Sequence, residues 1–375
     1  MTLVVGLDLT CLEAALETGV ERYARRLAET LPKAAPEHRY VVIVREGKPA
    51  PAVPAPGVVV AAPAFLGRAL WREAVLPGVV REHGIAVLHA PVAAVAALAR
   101  VPRVVTVHDV PDPRRHPGEG GLFSRHRLRL RHALSVAEAV VTPSFATRED
   151  LVAMAPDAAD RVTVVPHGVD PDFRPHGPEL DRARYGLPPG PYVLCVATVR
   201  PRKDHASLIR AFARLAPSRE HFLVLAGKQE EDPAPLLALA AELGIGDRVR
   251  LPGYVAREDL PDLYREAAAF VLPSRLEGFG LPLLEAMASG TPVLCSDAGA
   301  IPEVAGGAAL MFPAGDVERS AELLARILDR PEERDRLRRL GFARAATFSW
   351  DDCARRHAEV YARAAAAGAA PRGGE

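Results

Sequence analysis

What most constrains this chain is an alternation that runs from end to end: short apolar runs rich in β-branched residues, separated by stretches with helical spacing. The runs fall near residues 3–7, 40–44, 57–61, 86–89, 103–107, 138–142 and 162–165, then near 192–196, 222–226, 248–251, 269–273, 292–295 and 309–312. They lack polar alternation, which predicts strands buried on both faces. Between them, Val20, Tyr23, Ala24, Leu27 and Leu31 recur at helical intervals, as do Leu260, Leu263, Tyr264, Ala267 and Ala268. Strand–helix alternation on this scale predicts an α/β fold of parallel sheets with helices on both faces. A length of 375 residues is too great for one typical domain, so two doubly wound domains are expected.

The stretch Pro171–Gly190 interrupts the pattern with Pro171, Pro175, Pro178, Pro188 and Pro189. It reads as the connection between the two series of strands. The expected domains are residues 1–170 and 171–348. After Ala364 the chain is Ala, Gly, Pro and Arg, so residues 365–375 are expected to fray. Ligands of open parallel sheets bind beyond the carboxyl ends of the strands. Two such sheets facing each other predict a binding cleft.

Composition narrows the function. The formal net charge is zero, which argues against a nucleic-acid coat. Cys11, Cys195, Cys295 and Cys353 are widely spaced and carry no metal-type spacing, so buried thiols in a reducing compartment are expected, with no metal site. The start MTLVVGLDLT is unlike a signal peptide, and no apolar run reaches the roughly 18–20 residues a membrane span needs. A cytoplasmic protein is expected. Arg114–His132 holds six Arg against one Glu, which fits either a solvated surface or weak contact with anionic lipid at the inner face of a membrane.

The segment Ser274–Glu285 carries the most chemistry. It lies after a strand, contains Gly278 and Gly280, and leads through Leu281-Pro282 into a helical pattern. Proline suits the first turn of a helix, so the helix is expected to begin near Leu281. Its N–H groups and positive dipole end suit an anion such as a diphosphate. Glu277 and Glu285 flank that helix start, where carboxylates can accept bonds from paired sugar hydroxyls. Alone, two glutamates eight apart are also what solvated helix ends look like.

Glu277 and Glu285 form an E-x7-E element within EGFGLPLLEAMASGTPVLCSD (277–297). Seven further blocks keep the same order: TGVERYARRLAETL (18–31), VTVHDV (105–110), VTPSFATREDL (141–151), VVPHGVD (164–170), VATVRPRKDHASLIRAFARL (196–215), IPEVAGGAALMFPAGD (301–316) and FSWDDCARRHAEVY (348–361). Over nearly its whole length the chain resembles the retaining glycosyltransferases of family 4, with two Rossmann-like domains facing each other across a cleft (GT-B) and a mannosyltransferase-like character. The resemblance implies metal-independent transfer of a hexose from a nucleotide diphosphate sugar, with retention, and no cofactor. It implies that Glu277 binds hydroxyls of the transferred sugar and Glu285 the donor ribose. The N–H groups of Phe279, Gly280 and Leu281 would touch sugar and phosphate.

The resemblance also gives Lys203, with Arg202 beside it, to the diphosphate, where a cation offsets charge on the departing group. Many relatives carry an arginine where this chain has Thr198, and Arg200 or Arg202 is the expected substitute. His108 matches a histidine near the donor sugar and phosphate, and Asp109 falls on the acceptor side. Gly19, behind a Thr18 cap, lies in a loop near the diphosphate. Glu21 stands there in place of a glycine, and His167 in place of an asparagine. Tyr254 and Val255 match the backbone that reads the base. The C-terminal helix, near 349–364, would cross back to the first domain. The TVRPRKD loop points to GDP-mannose as donor, with a UDP-sugar second. The acceptor stays open among glycan, lipid-linked sugar and small molecule. The rival readings are a nucleotide-sugar epimerase or phosphorylase on the same fold, and a non-catalytic nucleotide-sugar-binding subunit.

Overall fold

The computed structural model describes residues 2–11, 17–48, 50–54, 57–63, 67–96, 98–110 and 120–369. Two compact units divide the chain: Met1–Gly168 with Ser349–Glu375, and Val169–Phe348.

Unit 1 runs β1 (Val4–Asp8), α1 (Gly19–Ala34), β2 (Arg39–Arg45), β3 (Val58–Ala62), α2 (Arg68–Ala74), α3 (Leu76–Glu82), β4 (Val87–Ala90), β5 (Arg103–Thr106), α4 (Gly120–Val136), β6 (Ala139–Thr142), α5 (Phe145–Met154) and β7 (Val162–Val164). These strands form a seven-stranded sheet in the order β3-β2-β1-β4-β5-β6-β7, with every pairing parallel. The order reverses between β1 and β4, where Val5 pairs with Val87. The inner strands are buried, as apolar runs predict. β3 departs from that expectation: it is an edge strand, and Val58 and Val59 face solvent.

Unit 2 runs β8 (Tyr192–Val196), α6 (His205–Ala213), β9 (Phe222–Ala226), α7 (Ala234–Glu242), β10 (Val249–Gly253), α8 (Leu260–Arg265), β11 (Ala269–Leu272), α9 (Leu281–Ala288), β12 (Val293–Ser296), α10 (Ile301–Ala305), β13 (Leu310–Phe312), α11 (Val317–Asp329) and α12 (Pro331–Ala345). Its six-stranded parallel sheet has the order β10-β9-β8-β11-β12-β13, reversing between β8 and β11. A hydrophobic core packs against this sheet, with Val193, Phe212, Leu223, Val271, Leu294 and Leu324 among its buried members.

Helix α13 (Trp350–Ala369) returns the chain to unit 1 and packs on α1. It stays helical five residues past Ala364, where fraying was expected. The alanine run 364–367 explains the difference, because alanine has the best helix propensity. The α8 pattern is shorter than its apolar spacing predicts, since Ala268 N–H already bonds to the Tyr192 carbonyl as the chain enters β11. The proline-rich stretch is also not a free connection. The crossing falls at Gly168–Val169, and Phe173, Leu180 and Leu187 are buried within unit 2. Glu266 fixes the stretch by accepting from Leu180 N–H at 2.7 Å and from Arg182 Nε at 2.8 Å.

Candidate active site

The reversal of strand order in unit 2 brings two loops together beyond the carboxyl ends of β8 and β11. The loop after β8 ends in a single 3₁₀ turn, Pro201–Lys203. The loop after β11 carries Ser274 to Gly280. Lys203 Nζ donates to Glu277 Oε1 at 2.5 Å, and Ser274 Oγ donates to the same oxygen at 2.7 Å. The glutamate is 8% exposed, so it is not a solvated helix-end acid. Its backbone is pinned as well, because Ala300 N–H bonds to the Glu277 carbonyl at 3.0 Å. A Cβ on Gly299 (φ +55°) would lie 2.4 Å from that carbonyl oxygen, so only glycine fits there.

Helix α9 begins at Leu281, as the Pro282 position predicts, with Gly280 at φ +97° before it. Phe279 is buried and meets Phe348 edge-on at 5.8 Å. Glu285 lies inside α9 and is only 3% exposed. Tyr264 donates its hydroxyl to Glu285 Oε2 at 2.9 Å. Tyr254 and Val255 follow β10, on the same carboxyl-end side of the sheet. Gly227 connects this region to β8: its Cβ would fall 2.1 Å from the Ala197 carbonyl oxygen. Of the two expected substitutes for the arginine at Thr198, Arg200 is ion-paired with Glu230, and Arg202 sits on the turn beside Lys203. His205, next to that turn, is buried, and burial with the Lys203 charge pushes its imidazole down to about 4.

Unit 1 holds His108 two residues past β5. Its Nε2 bonds to the Pro91 carbonyl at 2.8 Å, so that nitrogen carries the proton and Nδ1 is the acceptor of the neutral ring. Burial lowers its pKa, partly opposed by the Pro91 bond and by Asp109. Gly19 is the first residue of α1, with Thr18 as its cap. Glu21, which stands in place of a glycine, completes a capping box by accepting from Thr18 N–H at 3.1 Å. At the end of β1, buried Asp8 binds Thr10 Oγ1 at 2.5 Å and Arg72 Nε at 3.2 Å.

Sequence reasoning missed a buried polar chain that joins α13 to the sheet of unit 1. His357 Nδ1 faces the Cys353 carbonyl at 2.7 Å, so it must donate. Nε2 of the neutral ring then accepts, and Tyr23 donates its hydroxyl to it at 2.7 Å. Thr106 must therefore donate to Tyr23 (2.7 Å), His89 Nε2–H to Thr106 (2.9 Å), and Tyr361 to His89 Nδ1 (2.8 Å). One carbonyl thus fixes both tautomers. Burial pushes His357 down to about 4 and His89 well below its ordinary value. The Tyr23 ring also lies 5.0 Å from His108 and 4.6 Å from His167, and His167 stacks on Trp350 at 5.9 Å. These partners are scattered from residue 23 to residue 361, and no local spacing joins them. TGVERY and FSWDDCARRHAEVY were the only signals of the pairing, and they gave no geometry.

Part of the basic stretch, residues 114–119, lies outside the described residues. The rest forms α4, where Arg129, Arg131 and His132 are exposed. All four cysteines are free thiols. Among the described residues, no group of three or more His, Cys, Asp or Glu is placed to hold a metal ion, and no helix is long and apolar enough to cross a membrane.

Two doubly wound units with these strand orders define the GT-B class. The chain aligns with sucrose-phosphate synthase from Thermosynechococcus elongatus at a TM-score of 0.79 and 22% identity, covering 97% of this chain and 100% of that one. The model for "Glycosyltransferase Family 4" matches residues 18–173, and that for "Glycosyl transferases group 1" matches 179–344. The chain is 32% identical to O-antigen chain mannosyltransferase B of Escherichia coli, over 69% of each protein. It is 41% identical to a D-inositol 3-phosphate glycosyltransferase of Frankia alni, over 52% of this chain and 51% of that one. Against that second relative the chain spans about half the length. The chain belongs to the family 4-type glycosyltransferases, a family of hexose-transferring enzymes.

Proposed function

We propose that the protein transfers mannose from GDP-mannose, with retention and without a metal, to a hydroxyl of a glycan acceptor. The observation that carries this reading is the Lys203–Glu277 pair at the switch point of unit 2, 2.5 Å apart and joined by Ser274. A bound donor divides the pair: its diphosphate takes the lysine and hydroxyls of the transferred sugar take the glutamate. Lys203 and Arg202 then oppose the charge that builds on the leaving diphosphate. The N–H groups of Phe279, Gly280 and Leu281 add to that at the start of α9. Glu285, its Oε2 held by Tyr264, accepts from the ribose hydroxyls. Backbone at Tyr254 and Val255 reads the base.

On unit 1, His108 contacts sugar and phosphate, Gly19 lies at the diphosphate, and Asp109 serves the acceptor. The bond from the sugar's anomeric carbon to phosphate breaks as the acceptor oxygen bonds to the same face. The acceptor proton passes to a leaving phosphate oxygen. The protein's part is positioning and charge stabilisation. The mannosyltransferase relative supports mannose. A second reading has a UDP-sugar as donor, and the inositol-phosphate glycosyltransferase relative favours a phosphorylated acceptor for it. Exposed Leu128 (72%) between Arg127 and Arg129 on α4 supports weak peripheral contact with anionic lipid, which vesicle co-sedimentation tests.

The experiment is an acceptor-dependent assay. Nucleotide diphosphate should be released only when donor and acceptor are both present, and proton NMR of the product should show the donor's anomeric configuration. Release without acceptor, or an epimerised free nucleotide sugar, would contradict transfer and favour a rival enzyme on this fold.

A further inference from the structure

Asp204 is the one non-glycine residue at positive φ among the described residues (φ +49°, ψ +41°). A side chain in that region is strained and persists only when its surroundings hold it. It directly follows Lys203 and precedes α6, where an aspartate normally caps the helix from an extended backbone. Asp204 does not do this, and no backbone N–H of the helix bonds to its carboxylate. Oδ1 instead accepts from Ser207 Oγ at 2.8 Å, and Oδ2 accepts from Arg275 Nε at 2.8 Å.

Arg275 sits on the other loop, two residues before Glu277. Its own N–H bonds to the Arg202 carbonyl at 2.8 Å. Its guanidinium crosses Gly315, where a Cβ would come within 2.8 Å of Nη2. Two links thus tie the loops beside the Lys203–Glu277 bond, one ionic and one through backbone.

We propose that Asp204 and Arg275 form a positioning clamp. It holds the two loops in register when a ligand separates Lys203 from Glu277, and it neutralises Asp204 so that this carboxylate does not compete for the Lys203 ammonium. The inference rests on the assignment of Lys203 and Glu277 to the donor. Fold stability is not its main effect. Arg275 is 49% exposed, so solvent screens its side of the pair.

Steady-state kinetics of Arg275→Ala, Arg275→Lys, Asp204→Asn and the double variant Asp204→Asn/Arg275→Ala test the clamp, each with a thermal melt. Each of Arg275→Ala and Asp204→Asn should lower kcat on the order of 10- to 100-fold, with donor KM changed less. The double variant should be no worse than either alone, because the two residues act as one unit. Arg275→Lys should recover part of the loss, and melting temperatures should stay close to wild type. Additive losses, or a loss confined to KM in Arg275→Ala with Asp204→Asn active, would overturn the clamp and make Arg275 a direct ligand contact. Losses that follow lowered melting temperatures would overturn it as well.

Amide hydrogen exchange supplies an arm independent of activity. Arg275→Ala and Asp204→Asn should each accelerate exchange at 202–205 and 275–278 and leave the central strands unchanged. Unaltered exchange there would overturn the clamp even in an active enzyme. A wild type that turns over no nucleotide sugar would instead sink the assigned function, and the exchange result would still decide the clamp.

Discussion

Lys203 and Glu277 meet because two loops, 74 positions apart in sequence, end on adjacent strands. Removing the cation should therefore cost catalysis more than folding. Lys203→Ala should lower kcat roughly 10²–10³-fold, the range for losing one charge-stabilising donor. Its far-ultraviolet spectrum should stay native, since Ser274 still donates to Glu277. Kinetics within tenfold of wild type would remove Lys203 from the chemistry. Tyr264→Phe asks a different question. It leaves buried Glu285 Oε2 without its phenol donor, which costs about 1–3 kcal/mol and should appear as a lower urea midpoint. An unchanged midpoint would mean that the carboxylate is satisfied without Tyr264.

At the scale of elements, α13 is tied to β4, β5 and α1 through neutral histidines, and this has a pH consequence. Burial holds His357 at about 4 and His89 and His167 well below the ordinary value near 6.5. Between these pH values the unfolded chain binds protons that the folded chain excludes, so stability is full above about pH 6.5 and falls as pH drops toward 4. Each such histidine contributes a slope of up to about 1.4 kcal/mol per pH unit. Urea midpoints should fall from pH 7.5 to pH 5, and the fall should be smaller in His357→Asn. Equal midpoints at both pH values would contradict the neutral chain. Nitrogen-15 shifts offer a second check, with His357 protonated on Nδ1 and His89 on Nε2. The strands were legible in the sequence because parallel strands buried on both faces read as unbroken apolar runs. Edge strand β3 shows where that rule stops, since nothing local marks an edge. α9 was legible for a different reason: Gly280 and Pro282 carry its start in their own backbone preferences. The α13 contacts were not, because a hydrogen-bond chain through residues 23, 89, 106, 357 and 361 has no period.

For the molecule as a whole, two sheets with reversing strand order place loops at their carboxyl ends, and sequence order alone put Lys203 and Glu277 on such loops and Glu285 in the first turns of the helix that follows. The backbone of Asp204 could not be read in advance, because positive φ at a non-glycine residue depends on what holds it, here Ser207 and Arg275. Nor could the burial of the proline-rich stretch, which depends on Glu266 far along the chain. The central claim is that unit 2 binds a nucleotide diphosphate sugar through these loops without a metal. Calorimetric titration of GDP- and UDP-sugars in metal-free buffer, into wild type and Glu285→Ala, tests it most directly. The account predicts saturable binding of one nucleotide series, the GDP series first, weakened at least roughly tenfold by Glu285→Ala, as loss of a hydrogen-bonding charged partner implies. Absence of binding by the folded wild type, or equal affinity in the variant, would contradict it.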